Sequence, residues 1–169
     1  MRQLIQSGDV DGVEAEFWLT SLAFFPHPTI DMLREAYAML NLNDDTLARK
    51  AYLGCSSMVN NYCALYDDCR EEQIVQDIVK TFEDNLNYNC MSPNHDVIIR
   101  SLKSLANTGV ADRAIDTIKR CITNNDKGLP IEFRVEAVKA FRRMPCDIDV
   151  SLHFIGLYLN CGVKFKTHL

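Results

Sequence analysis

Residues 97–121 read "VIIRSLKSLANTGVADRAIDTIKRC". The stretch holds two apolar-periodic segments parted by Asn107-Thr108-Gly109. Ile98, Leu102 and Leu105 fall on one face of the first segment, and Ile115, Ile118 and Ile122 on one face of the second. Gly109 is placed to stop the first helix, because glycine tolerates the left-handed conformation at a helix C-terminus. Asp112 lies near the start of the second, where an acidic side chain suits the helix dipole. Neither segment is long enough to be stable alone in water, so the pair implies neighbours. A second pair follows. Leu102-Lys103-Ser104-Leu105 lines up with Val138-Lys139-Ala140-Phe141 at a shift of 36 residues, and at that shift Gly109 meets Pro145. Such a spacing lies near the periods of paired-helix solenoids. In those arrays each pair buries one face against the next.

Working outward, the rest of the chain gives more of the same. A first helix is expected from about Asp11 to Phe24, with Val13, Phe17 and Ser21 on one face and Trp18, Leu22 and Phe25 beside it. Pro26 and Pro28 end it. Thr29 is a good cap for a second, about Ile30 to Leu40. Asp44 or Asp45 caps a third, to about Leu65, carrying Leu47, Ala51, Met58, Val59 and Tyr62. A fourth, about Glu71 to Leu86, shows the stripe Val75, Ile78, Val79, Phe82 and Leu86. After the opening pair, a seventh runs from about Ile131 to Met144 with Phe133, Ala137, Val138 and Phe141 inward, and an eighth from about Asp149 to Leu159. No alternating strand run stands out. The expected class is all-α: a two-layer α–α superhelix of about eight helices forming a single domain over residues 1–169.

Composition narrows the function. At 169 residues the chain can bury a real core, and 47% apolar content excludes general disorder. A net charge of −5 argues against a non-specific nucleic-acid binder, which needs basic surface. No apolar run approaches ~18 residues, so no membrane span is expected. The opening "MRQLIQSGDVDGV" lacks the apolar core of a signal peptide. Seven cysteines cannot all pair with one another, and no CxxC occurs. In "NNYCALYDDCREEQ", Cys63 and Cys69 flank a helix end and the next helix start. A bridge there would pin that corner; two free thiols are the alternative.

Catalytic and metal-binding patterns are missing. His27, His95, His153 and His168 show no helical ligand spacing. His95-Asp96 superficially resembles the metal-dependent phosphohydrolases, but the further ligands are not identifiable. Asp96 reads more simply as a cap or dipole partner. No GxSxG, P-loop or GxGxxG appears. No enzyme activity and no cofactor are therefore expected. The one compact basic cluster is Lys139, Arg142 and Arg143 in "KAFRR". It reads either as a solvated helix face or as a surface on which another domain docks.

Four stretches occur in order: "EFWLTSLAFFPHPT", "AYLGCSSMVNNYC", "LKSLANTG" and "IEFRVEAVKAFRRMPCD". Together they resemble the helical domain of the large lipid transfer proteins, the family of vitellogenin, insect apolipophorin, apolipoprotein B and the large subunit of microsomal triglyceride transfer protein. The wording is nearest apolipophorin, and the resemblance covers about Asp11 to Asp147. It implies a right-handed two-layer superhelix that wraps β-sheets enclosing a lipid cavity. It also implies a secreted lipid carrier, a setting that would permit a Cys63–Cys69 bridge, and assigns no catalytic residue. Lipid would be the partner in the full-length protein, together with a β-barrel and β-sheets that this sequence lacks. The end, "GLYLNCGVKFKTHL", departs from the family pattern. A fragment of a larger carrier is therefore expected, with apolar faces left open: Phe17, Trp18, Leu22 and Phe24 at one end, Phe154, Leu157 and Leu159 at the other. The alternative function is an intracellular HEAT-like module that binds proteins.

Overall fold

The computed structural model describes residues 2–90, 95–123 and 131–143. The helices run α1 Arg2–Ser7, α2 Gly12–Ser21, α3 Ile30–Ala38, α4 Asp45–Cys63, α5 Gln73–Asn89, α6 His95–Thr108, α7 Ile115–Thr123 and α8 Ile131–Arg143. Short 3-10 turns extend α2 (Leu22–Phe24) and α3 (Met39–Asn41) and lead into α5 (Cys69–Glu71) and α7 (Asp112–Ala114). No strand occurs among the described residues. The helix α1 is not foreseen by the sequence pattern, and the helix expected from Asp149 lies outside the described residues.

Local chemistry sets the boundaries. The side chains of Asp11, Thr29 and Asp44 accept hydrogen bonds from the amides of Glu14 (2.8 Å), Met32 (3.3 Å) and Leu47 (2.8 Å), opening α2, α3 and α4. Each such cap is worth about 1 kcal/mol. Gly109 closes α6 at φ +69°, a conformation that costs other residues about 1–2 kcal/mol.

The helices alternate between two layers. In one, α2 packs on α4, α4 on α6 and α6 on α8. In the other, α3 packs on α5 and α5 on α7. Across the layers α3 meets α4, α5 meets α6 and α7 meets α8. This is the two-layer α–α superhelix, one helix pair per rung. The starts of α6 and α8, at 95 and 131, are 36 residues apart, the shift seen in the sequence. At that shift the buried Ser101 and Ser104 correspond to the buried Ala137 and Ala140. Small side chains at matching places let neighbouring axes approach.

The core runs between the layers. Val75, Ile78, Val79, Phe82 and Leu86 of α5 meet Ala51, Met58, Val59 and Tyr62 of α4 and Ile98, Leu102 and Leu105 of α6 in one buried cluster, which Phe133 of α8 continues. The side chains of Val138 and Phe141 lie outside the described residues.

One helix phase differs from expectation. Helix α2 turns Ala15 and Leu19 inward, while Val13 and Phe17 are 81% and 69% exposed. The cause lies on α4. A Cβ at Gly54 would stand 2.5 Å from the Leu19 carbonyl oxygen and 3.1 Å from Leu22 Cβ. Backbone rests on backbone there, which no aromatic ring could permit. Asn61 fixes the corner after α2 by donating to the carbonyls of Phe25 (2.8 Å) and Ala23 (3.3 Å). Lys50 of α4 adds an ion pair to Glu16 at 2.9 Å.

Candidate binding groove

Because α2 docks through small residues, its larger side chains are left to line a groove between α2 and α3. Trp18, Leu19, Leu22 and Phe25 form one wall, Met32, Ala36 and Met39 the other, with Met58 of α4 between them. The groove encloses about 560 Å³, within the range of small-ligand and peptide sites. Its three methionines are unbranched and adapt to varied partners. Asp31 and Glu35 complete the lining. Asp31 is paired with Arg34 at 2.8 Å; Glu35 has no ion-pair partner among the described residues. The sequence pattern does not disclose this groove. The available signal is a Trp and a Phe just before the Pro26–Pro28 turn and methionines just after it, residues that also read as ordinary core.

Outside the groove, polar side chains hold helices together. The Arg100 guanidinium lies over the Tyr52 ring, 4.5 Å from its centroid, and that ring packs against Phe82 at 5.0 Å. Asn85 donates to the Tyr52 hydroxyl at 2.7 Å. Burial pushes the Tyr52 phenol up, more than Arg100 draws it down. Thr117 of α7 donates to Glu83 of α5 at 2.7 Å, and Arg70 pairs with Asp112. These contacts join α4 to α5 and α6, α5 to α7, and the turns before α5 and α7.

Cys63 and Cys69 stand with Cα atoms 5.2 Å apart, in bridging geometry, at the corner between α4 and α5. A second pair, Cys90 at the end of α5 and Cys121 on α7, stands with Cα atoms 5.3 Å apart, within reach of a bridge. The sequence does not single out this pair, since two cysteines on separate helices carry no pairing signal. Cys55 is buried without a partner, and its thiol is held neutral by desolvation. Lys139 is exposed and pairs with Glu136 of its own helix at 2.8 Å. The side chains of Arg142 and Arg143 lie outside the described residues. His95 packs edge-on against Phe133 at 4.7 Å, and Asp96 faces Arg49 at 3.7 Å. His153 and His168 lie outside the described residues. Among the described residues no group of three or more His, Cys, Asp or Glu side chains could hold a metal ion. No described helix is long and apolar enough to cross a membrane.

Comparison with known proteins adds a family. The family model for the vitellogenin TPR domain matches residues 1–162. Vitellogenin from Acipenser transmontanus is 29% identical over 140 residues, which cover 80% of this chain. The chain spans 8% of the length of that relative. No solved structure matches the chain.

Proposed function

The chain belongs to the vitellogenin family, as its TPR domain, and on that premise we propose that it is a helical scaffold segment of a secreted lipid carrier. Its work is mechanical and not catalytic. Stacked helix pairs form a stiff curved wall, and other parts of a longer chain, β-barrel and β-sheets among them, complete the lipid compartment that the wall supports.

The observation that carries this reading is the two-sided character of α2. Ala15 and Leu19 face α4, while Val13, Phe17 and Phe24 form an exposed apolar stripe at 81%, 69% and 78% exposure. A helix apolar on opposite sides suits the inside of a stack, where each side has a neighbour. Lone exposed hydrophobics are common, but a contiguous apolar patch marks a contact surface. The Cys63–Cys69 pair in bridging geometry, with Cys90 and Cys121 close enough to bridge, favours an oxidising compartment over an intracellular module. The basic cluster of Lys139, Arg142 and Arg143 is a further surface for docking of a neighbouring domain.

Lipid content tests the proposal. The chain produced by secretion and purified should carry far less than one phospholipid or triacylglycerol per polypeptide. Stoichiometric lipid would place a lipid site within these helices and overturn a purely supporting role.

A further inference from the structure

We infer that the groove between α2 and α3 is a docking site for an amphipathic helix with a basic flank. The inference rests on the groove itself and stands apart from the family assignment. Two features select the occupant. The first is shape: two neighbouring helices present a channel into which a third can lay its apolar side chains. Anchors at i, i+3 or i+4, and i+7 would enter between Trp18 and Phe25 on one wall and Met32 and Met39 on the other. Methionine walls repack around such anchors with little strain. The second is charge. Of the carboxylates near the groove, Asp31 is paired with Arg34 and Glu16 with Lys50, but Glu14 accepts from the Trp18 ring N–H at 3.4 Å at the groove's edge. Glu35 adds a carboxylate on the groove that has no ion-pair partner among the described residues. An approaching lysine or arginine meets attraction there, and an acidic flank meets repulsion. A second copy docking symmetrically would set Glu35 near Glu35, which disfavours that occupant.

The experiment uses Trp18, the chain's only tryptophan and a wall of the groove. The whole chain, at a fixed low concentration, is titrated with a synthetic amphipathic helix of about four turns bearing leucines on one face and lysines beside them. A matched peptide carries glutamates in place of the lysines, and a third probe is monomeric lysophosphatidylcholine. The expected result is a saturable shift of Trp18 emission with the lysine peptide. The glutamate peptide should bind about three- to tenfold more weakly, with the gap narrowing in high salt. Glu35→Lys, at an exposed position, should keep the helical circular dichroism and close or invert that gap. Asp116→Lys, an exposed α7 acid that does not line the groove, should leave the gap unchanged. Equal binding of both peptides, or no Trp18 response, overturns the inference. So does lysophosphatidylcholine that saturates the signal and displaces the peptide, which would make the groove a site for small amphiphiles. A Trp18 shift that rises with protein concentration alone and persists in Phe17→Glu/Phe24→Glu, where the outer stripe is charged, would assign the groove to a second copy and overturn it as well.

Discussion

Replacing Gly54 by alanine adds one methyl group at the place where α2 rests on α4. The new Cβ would meet the Leu19 carbonyl oxygen at 2.5 Å, whereas ordinary contact begins near 3.4 Å. Helix α2 must therefore move outward by about 0.9 Å along that line, and Leu22 Cβ, at 3.1 Å, is pressed in the same direction. Overpacking of this kind costs about 1–3 kcal/mol. Alanine returns about 1 kcal/mol through helix propensity. The net expectation is a loss of up to about 2 kcal/mol. Gly12→Ala is the internal control. It lies at the first position of α2, and a Cβ added there would find nothing within 4 Å, so it should be neutral or stabilise by about 0.4–1 kcal/mol. Urea unfolding followed by far-ultraviolet circular dichroism gives both numbers if the slope of the transition is unchanged. Trp18 fluorescence reports the local displacement. Gly54→Ala more stable than the parent by the full helix-propensity gain of about 1 kcal/mol, or Gly12→Ala destabilised as much as Gly54→Ala, would refute the close approach of α2 to α4.

Other outcomes follow from the same packing. Phe82→Ala empties a fully buried site against Tyr52 and should cost about 3–5 kcal/mol by chemical denaturation. Ser104→Ala removes a buried hydroxyl that lacks a hydrogen-bond partner, so it should be neutral or slightly stabilising in the same assay. Raising the pH should weaken the fold through Tyr52. Its folded phenol is raised above the ordinary value of 10.0, so its contribution is complete below about pH 10 and is lost as pH climbs through the folded value. Alkaline unfolding curves should therefore soften in Tyr52→Phe. Cys55 should resist alkylation in the native protein and react on unfolding, as timed mass spectrometry would show.

The parts of the fold that are legible in the sequence are those where a single force dominates. Thr29 and Asp44 act as the caps their positions suggest, and Gly109 takes the left-handed conformation that ends α6. The α5 stripe from Val75 to Leu86 is buried as its period requires, because one apolar face leaves one solution. Helix α2 has two apolar faces, so its period alone does not say which turns inward. Gly54 makes that choice from about 35 residues away in the chain, and glycine inside a helix reads locally only as a weakness. Helix α1 is too short for a periodic signal. Glu83 reads as a surface position on α5 but accepts a hydrogen bond from the buried Thr117, a contact set by how α7 crosses. The groove is illegible for a related reason: its residues are apolar whether they fill a core or line an opening, and only the spacing of α2 and α3 separates the two.

Sedimentation velocity over a range of protein concentrations tests most directly whether these helices are one stretch of a larger wall. The comparison is between the parent chain and Phe17→Glu/Phe24→Glu, which places charge on the outer stripe of α2 where both rings are exposed. The parent should associate as its concentration rises, because the stripe seeks cover. The double variant should stay monomeric with an unchanged helical spectrum. A parent chain that remains monomeric throughout, indistinguishable from the variant, would contradict the wall and make this a self-contained domain.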